Sequence, residues 1–158
     1  MRALEPSRGR RFFNYFPAKE DVITQPDPQE RAVWADIQAR HVDTEPLWQA
    51  LTATVLEGLA SIEDSFVALR RIKASAPAMA ATFGKGSRWI SEDLRQWVER
   101  RTPAEQLPAA RLQLNVVMAA LMTAYEQWQP DEPFGDFIDT ARRHLAAAGA
   151  GFAGPAGR

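Results

Sequence analysis

The chain has no cysteine and only two histidines among its 158 residues. Without cysteine, a disulfide framework and a thiolate metal site are both excluded, which suits a reducing compartment. No uninterrupted apolar run approaches the ~20 residues that a membrane-spanning helix needs. The arginine-rich N-terminus also lacks the apolar segment of a secretory signal. We therefore expect a cytoplasmic protein.

Patterns typical of strands and of catalytic sites are also missing. No run alternates apolar and polar residues for long enough to form a β-strand, so we predict an all-α chain of about seven or eight helices. His41 lies near Asp43 and Glu45, but a predicted helix break separates them, which favours a histidine at a helix end over a metal ligand. His144 falls on a predicted exposed face. We expect no enzymatic activity, no metal and no cofactor.

Charge is unevenly distributed along the chain. Residues 1–20 contain five basic and two acidic residues, for a net charge of +3, and the remainder carries −4. A basic head on an acidic body suits contact with phosphates. The alternative is a solvated arginine-rich arm, and charge alone favours that interpretation.

An aromatic cluster interrupts this basic segment. Residues 11–23 read Arg-Phe-Phe-Asn-Tyr-Phe-Pro-Ala-Lys-Glu-Asp-Val-Ile, with four aromatic residues in five positions. Pro17 ends the preceding element, because the residue before a proline is driven out of the helical region. The segment from Pro17 to Asp21 is typical of a helix start. The pattern predicts a helix end, a tight corner and a new helix, and a small aromatic core at such a corner is one explanation for it.

The same segment resembles the end of the helix-turn-helix in TetR-type (tetracycline-repressor-like) transcriptional regulators, where the pattern runs Thr-Phe-Phe-x-Tyr-Phe-x-x-Lys-Glu-Asp. The resemblance implies that Phe12, Phe13 and Phe16 form the core of a DNA-binding head. It also implies DNA contacts from a set of polar and basic residues, the last three of which fit the register less well: Tyr15, Lys19, Arg8, Arg10 and Arg11.

The family places two further helices before this motif, whereas ten residues precede Arg11 here. We therefore expect residues 1–24 to form a partial helix-turn-helix head. Because the missing helices would bury the phenylalanines and cross the DNA backbone, we also expect the 158-residue chain to bind operator DNA poorly. In-frame codons for two more helices upstream of Met1 would favour a regulator.

The residues after the corner carry helical periodicity and clear start signals. Asp27 is a predicted N-cap with Pro28 in the first turn, and Thr44 and Thr102 are predicted caps of later helices. Residues 25–148 are expected to form one helical domain, and the resemblance implies that it binds a ligand and dimerises. The Gly/Ala-rich segment 149–158 is expected to be a disordered tail.

The segment Leu112–Tyr125 is apolar almost all round. A helix with this composition must bury both sides, either against its own neighbours or against a partner subunit. We favour an isologous homodimer in which this helix and the last helix of each chain form a four-helix bundle. The predicted interface residues are Leu114, Val117, Met118, Leu121, Tyr125, Phe137, Ile138 and Leu145.

A looser similarity to the TetR effector domain extends over the rest of the chain, and it implies a small-molecule pocket among the middle helices. Candidate pocket residues are Trp34, Trp48, Phe66, Met79, Phe83, Trp89 and Trp97. The predicted fold is thus a TetR-like helical bundle with a partial N-terminal head. The predicted function is a ligand-responsive homodimeric regulator, by family default a repressor, that binds operator DNA in a full-length form and an apolar or amphipathic effector. The alternative is a stand-alone helical module that binds ligand and dimerises without binding DNA.

Overall fold

The computed structural model describes residues 27–76 and 88–152. Within these residues the chain forms six α-helices and no β-strand, which confirms the all-α prediction. The helices are α1 Pro28–Ala39, α2 Leu47–Ser61, α3 Glu63–Ser75, α4 Arg88–Arg101, α5 Leu107–Gln127 and α6 Phe134–Gly149. The predicted DNA-binding head, residues 1–24, lies outside the described residues.

The helix starts follow local chemistry, with one confirmed cap and two wrong ones. The Asp27 carboxylate accepts a hydrogen bond from the backbone N–H of Gln29 at 2.8 Å, as its position before Pro28 predicts. Thr44 and Thr102 cap nothing, because Pro46 and Pro103 occupy the cap positions of α2 and of the short helix Ala104–Gln106 that precedes α5. Proline has a fixed φ that suits this extended cap conformation, so each helix begins after the proline.

The core consists of two adjacent clusters that pack against successive parts of α5. One contains Leu51, Val55, Leu94, Val117 and Leu145 among its buried members. The other is largely aromatic and is built around Trp128, Phe134 and Phe137. Helix α5 contacts α2, α4 and α6, and partly buried residues such as Leu121 pack against both clusters. Much of its apolar surface is therefore covered within the single chain.

The outer side of α5 is exposed and carries two large apolar residues among polar ones such as Arg111, Asn115 and Glu126. Leu112 and Met122 are 55% and 56% exposed, which is unusual for large hydrophobic side chains in the middle of a helix. Residues 104–127 are also long and apolar enough to cross a bilayer on composition alone, a property that core helices of soluble proteins share.

The folded body extends to Phe152, past the boundary predicted at residue 148. Helix α6 runs to Gly149, and the Phe152 ring packs on Trp48 of α2 with 4.9 Å between ring centroids. Removal of these rings from water stabilises the end of α6, so the Gly/Ala-rich composition after residue 148 did not reveal where packing ends.

Candidate ligand-binding cavity

A mainly apolar cavity of about 170 Å³ lies among the six helices, and each of them contributes to its wall. Its lining consists of Trp34, Val55, Leu59, Phe66, Leu69, Lys73, Ile90, Ser91, Leu94, Met118, Leu121, Met122, Tyr125 and Phe137. The polar groups in this set are Lys73, Ser91, the Tyr125 hydroxyl and the indole N–H of Trp34, and none of these lining residues is acidic. A preformed cavity with a small number of polar groups is typical of a small-molecule site.

One wall of the cavity is the indole ring of Trp34, and a glycine makes room for it. Gly58 on α2 is buried, and a Cβ atom added there would lie within 2.5 Å of Cε2 and Cη2 of Trp34. On another side the ring of Trp89 meets Trp34 edge-on, with centroids 5.9 Å apart. The Trp34 side chain is only 1% exposed, so its position is set by close packing rather than by solvent.

The cavity also borders an aromatic cluster. Phe66 of α3 stacks on Phe137 of α6 at a centroid distance of 5.3 Å and meets Tyr125 of α5 edge-on at 5.5 Å. Trp128 and Phe134 continue the cluster behind them. Offset and edge-on aromatic pairs add about 0.5–1.5 kcal/mol each beyond burial, which gives this side of the cavity a defined shape.

Positive charge collects where α3 meets Tyr125. The Lys73 ammonium lies 5.5 Å and the Arg70 guanidinium 4.6 Å from the centroid of the Tyr125 ring. Arg70 Nη2 donates to the backbone oxygen of Trp128 at 2.8 Å. Burial, and then the neighbouring charge of Arg70, lowers the pKa of Lys73. In the described part of the chain, neither cation has a carboxylate oxygen within 4.0 Å.

The cavity includes two of the seven residues predicted to bind ligand, Trp34 and Phe66. Trp48 packs on Phe152 at the far end of α2. Trp89 supports Trp34 from behind, and Trp97 lies under the Arg101 guanidinium at 4.7 Å. These three tryptophans therefore pack elsewhere in the helical body and do not line the cavity. The other two predicted residues, Met79 and Phe83, lie outside the described residues.

Several residues predicted for a dimer interface point inward instead. Met118, Leu121, Tyr125 and Phe137 line the cavity. Leu114, Val117 and Leu145 lie in the core with at most 5% exposure, and Ile138 packs on the aromatic cluster. The predicted dimer interface stays a prediction, and the large apolar side chains that the described part of α5 exposes are Leu112 and Met122.

Sequence reasoning also missed most of the cavity wall. The signal for Lys73 was present, since a lysine follows Phe66 and Leu69 at helical spacing on α3 and therefore lies on the same face. No comparable signal separated Val55, Leu59 or Leu94 from ordinary core residues.

A second, wider cleft of about 620 Å³ lies between the loop before α2 and the start of α5, and it is more polar. Arg101 Nη2 there donates to the backbone oxygens of Val42 and Glu45 at 2.7 and 3.3 Å. His41 Nδ1 and Glu45 Oε2 are 2.8 Å apart. Across residues 27–76 and 88–152, however, no group of three His, Asp or Glu side chains is placed to hold a metal ion. These contacts join the loop to α4.

The predicted DNA contacts, Tyr15, Lys19, Arg8, Arg10 and Arg11, all lie outside the described residues. Comparison with protein-family models, curated proteins and solved structures finds no match to the chain. The case for function therefore rests on the cavity and on the sequence of residues 11–23.

Proposed function

We propose that the chain is a ligand-responsive transcriptional regulator of the TetR type that acts as a homodimer and, by the default of that class, as a repressor. The observation that carries the proposal is the apolar cavity to which all six described helices contribute. The resemblance of residues 11–23 to the end of a helix-turn-helix supplies the DNA-binding half of the argument.

The position of α5 suggests how ligand and dimer would be coupled. One face of α5 lines the cavity through Met118, Leu121 and Tyr125, and the opposite face exposes Leu112. Met122 reaches both, since it lines the cavity and is 56% exposed. A ligand that shifts α5 would therefore also move the proposed dimer surface. Allosteric coupling requires such a difference in contacts between the free and the bound state.

The test is selection of a binding site from random duplex DNA, with the protein expressed together with any in-frame codons that precede Met1 in its gene. A homodimer should enrich a palindrome whose half-sites lie about one helical turn or a multiple of it apart. Lys19→Ala should weaken binding to all enriched sequences and reduce the salt slope by about one phosphate contact. An Arg142→Ala control, at an exposed position on α6, should leave DNA binding unchanged.

The second candidate is a stand-alone module that binds ligand and dimerises without DNA. It is favoured by the lining of the cavity, because the described lining residues, from Trp34 to Phe137, come from all six helices of the body. If the protein dimerises and binds apolar ligands but enriches no duplex sequence at physiological salt, the module is the correct function and the regulator is not.

A further inference from the structure

Several hydrogen-bond donors in and beside the cavity have no partner among the described residues. Lys73 lines it as a cation. Trp34 Nε1 and Arg70 Nε are buried without a hydrogen-bond partner among the described residues. Buried polar groups are usually paired, and each unpaired one costs free energy in the folded chain. A ligand that brings hydrogen-bond acceptors would therefore find donors and no competing carboxylate at this site.

The charge of Lys73 has no carboxylate partner within 4.0 Å in the described part of the chain. Lysines that only solubilise a surface keep their ammonium in water, whereas Lys73 is half-buried, lines an apolar cavity and lies near Arg70 and over the Tyr125 ring. The direction of its pKa shift agrees with an unmet charge, since burial and a like charge both disfavour the protonated form. The negative charge of an anionic ligand would oppose both effects, because an opposite charge nearby favours the protonated form.

We propose that the cavity binds a small apolar carboxylate whose carboxylate group pairs with the Lys73 ammonium and whose hydrocarbon body packs among Trp34, Phe66 and Phe137. This inference rests on the proposed function, because it assigns the effector class for the same cavity. The volume of about 170 Å³ is close to the ~150 Å³ of an engineered protein cavity that holds benzene. One aromatic ring or a short alkyl chain therefore fits, and a long-chain fatty acid does not.

The test uses hydrocinnamate and octanoate as probes, each compared with its primary amide and with the matching amine by isothermal titration calorimetry on the full chain. The amide keeps the shape and removes the charge, and the amine reverses the charge. We expect the acids to bind at least about tenfold more tightly than the amides, which corresponds to about 1.4 kcal/mol. The amines should bind more weakly than the amides, because Lys73 and Arg70 repel them.

Two variants assign the preference to Lys73. Lys73→Met keeps a flexible apolar stem and should remove the advantage of the acids over the amides, while the affinity for the amides stays within about twofold of the original. Retained amide binding also shows that the variant folds and keeps its cavity. Arg71→Met removes the same charge from an exposed position on α3 and should leave the acid preference unchanged.

The outcomes separate the two proposals. If acids and amides bind equally well and Lys73→Met changes neither, the carboxylate assignment is overturned and the cavity stands as a neutral-ligand site. If the amines bind best, the assignment is overturned as well. If acids, amides and amines all fail to bind, the cavity does not take ligands of this class, and the ligand-responsive function loses its main support.

Discussion

Gly58 offers a direct test of how tightly the cavity wall is packed. An added Cβ at this position would lie within 2.5 Å of two ring atoms of Trp34, well inside van der Waals contact, and the ring is buried. Gly58→Ala would otherwise help α2, because alanine is favoured over glycine in a helix by about 1 kcal/mol. Overpacking of a well-packed interior costs about 1–3 kcal/mol. We therefore expect net destabilisation of up to about 2 kcal/mol.

Gly135 on α6 provides the matched control. Like Gly58, it lies in a helix, but it is exposed, and nothing lies within 4 Å of the position where its Cβ would be. Gly135→Ala should therefore be neutral or stabilising by up to about 1 kcal/mol. The difference between the two variants then isolates the contact with Trp34, and it should be at least about 1 kcal/mol, or a Tm difference of at least about 2–4 °C for a chain of this size.

The assay is urea unfolding of the wild-type chain and both variants, followed by circular dichroism. Because the Trp34 ring borders the cavity, its displacement by Gly58→Ala should also reduce the affinity for hydrocinnamate, and Gly135→Ala should not. If both variants are stabilised to the same degree, Trp34 does not occupy the space above Gly58 and the described cavity wall is wrong.

The remaining predictions concern pH, association and a buried hydrogen bond. Hydrocinnamate affinity should fall as the pH rises through the lowered pKa of Lys73, because the neutral Lys73 amine no longer attracts the carboxylate while Arg70 stays charged. Calorimetry between about pH 7 and pH 11 measures this change. An affinity that stays the same over this range would contradict the prediction. Leu112→Glu should convert the dimer to a folded monomer in light scattering. Arg142→Glu, at an exposed position on α6, should leave the dimer intact. A wild-type chain that is monomeric at tens of micromolar would end the dimer prediction. Asp93→Ala should lower the free energy of unfolding in urea by about 1–3 kcal/mol. The reason is that the side chain of Gln38, which is 5% exposed, donates a hydrogen bond from Nε2 to Asp93 Oδ2 at 2.6 Å. A decrease below about 0.5 kcal/mol would show that Gln38 finds another partner.

Local signals in the sequence predicted the all-α class correctly, but they predicted only one of three helix N-caps correctly. Asp27 caps α1 as predicted because the aspartate, the proline after it and the following amphipathic stripe all agree. Thr44 and Thr102 failed because a nearby proline competed for the same cap position. In both cases the sequence contained the stronger signal, which was the proline that follows the threonine within two residues.

The candidate site was harder to predict because it depends on which face of α5 points inward. Leu114, Val117, Leu121 and Ala124 turn toward the core or the cavity, while Leu112 lies on the exposed side. All five are apolar, and the exposed side is marked only by polar residues at helical spacing, Arg111, Asn115 and Glu126, a signal that the apolar composition of the segment obscured. Contact between this helix and a partner subunit stays a prediction.

What the sequence determined by itself is the all-α class, the places where helices break and the apolar character of α5. These depend on neighbours within a few residues, through proline geometry, capping and helical period. What only the tertiary structure decided is the cavity. Trp34, Lys73 and Phe137 lie on three different helices, far apart in the chain, and meet because α1 and α3 pack on α2, while α2 and α6 pack on α5. Gly58 contributes by lacking a side chain at the point where Trp34 needs space, and a missing atom matters only once its neighbour is known.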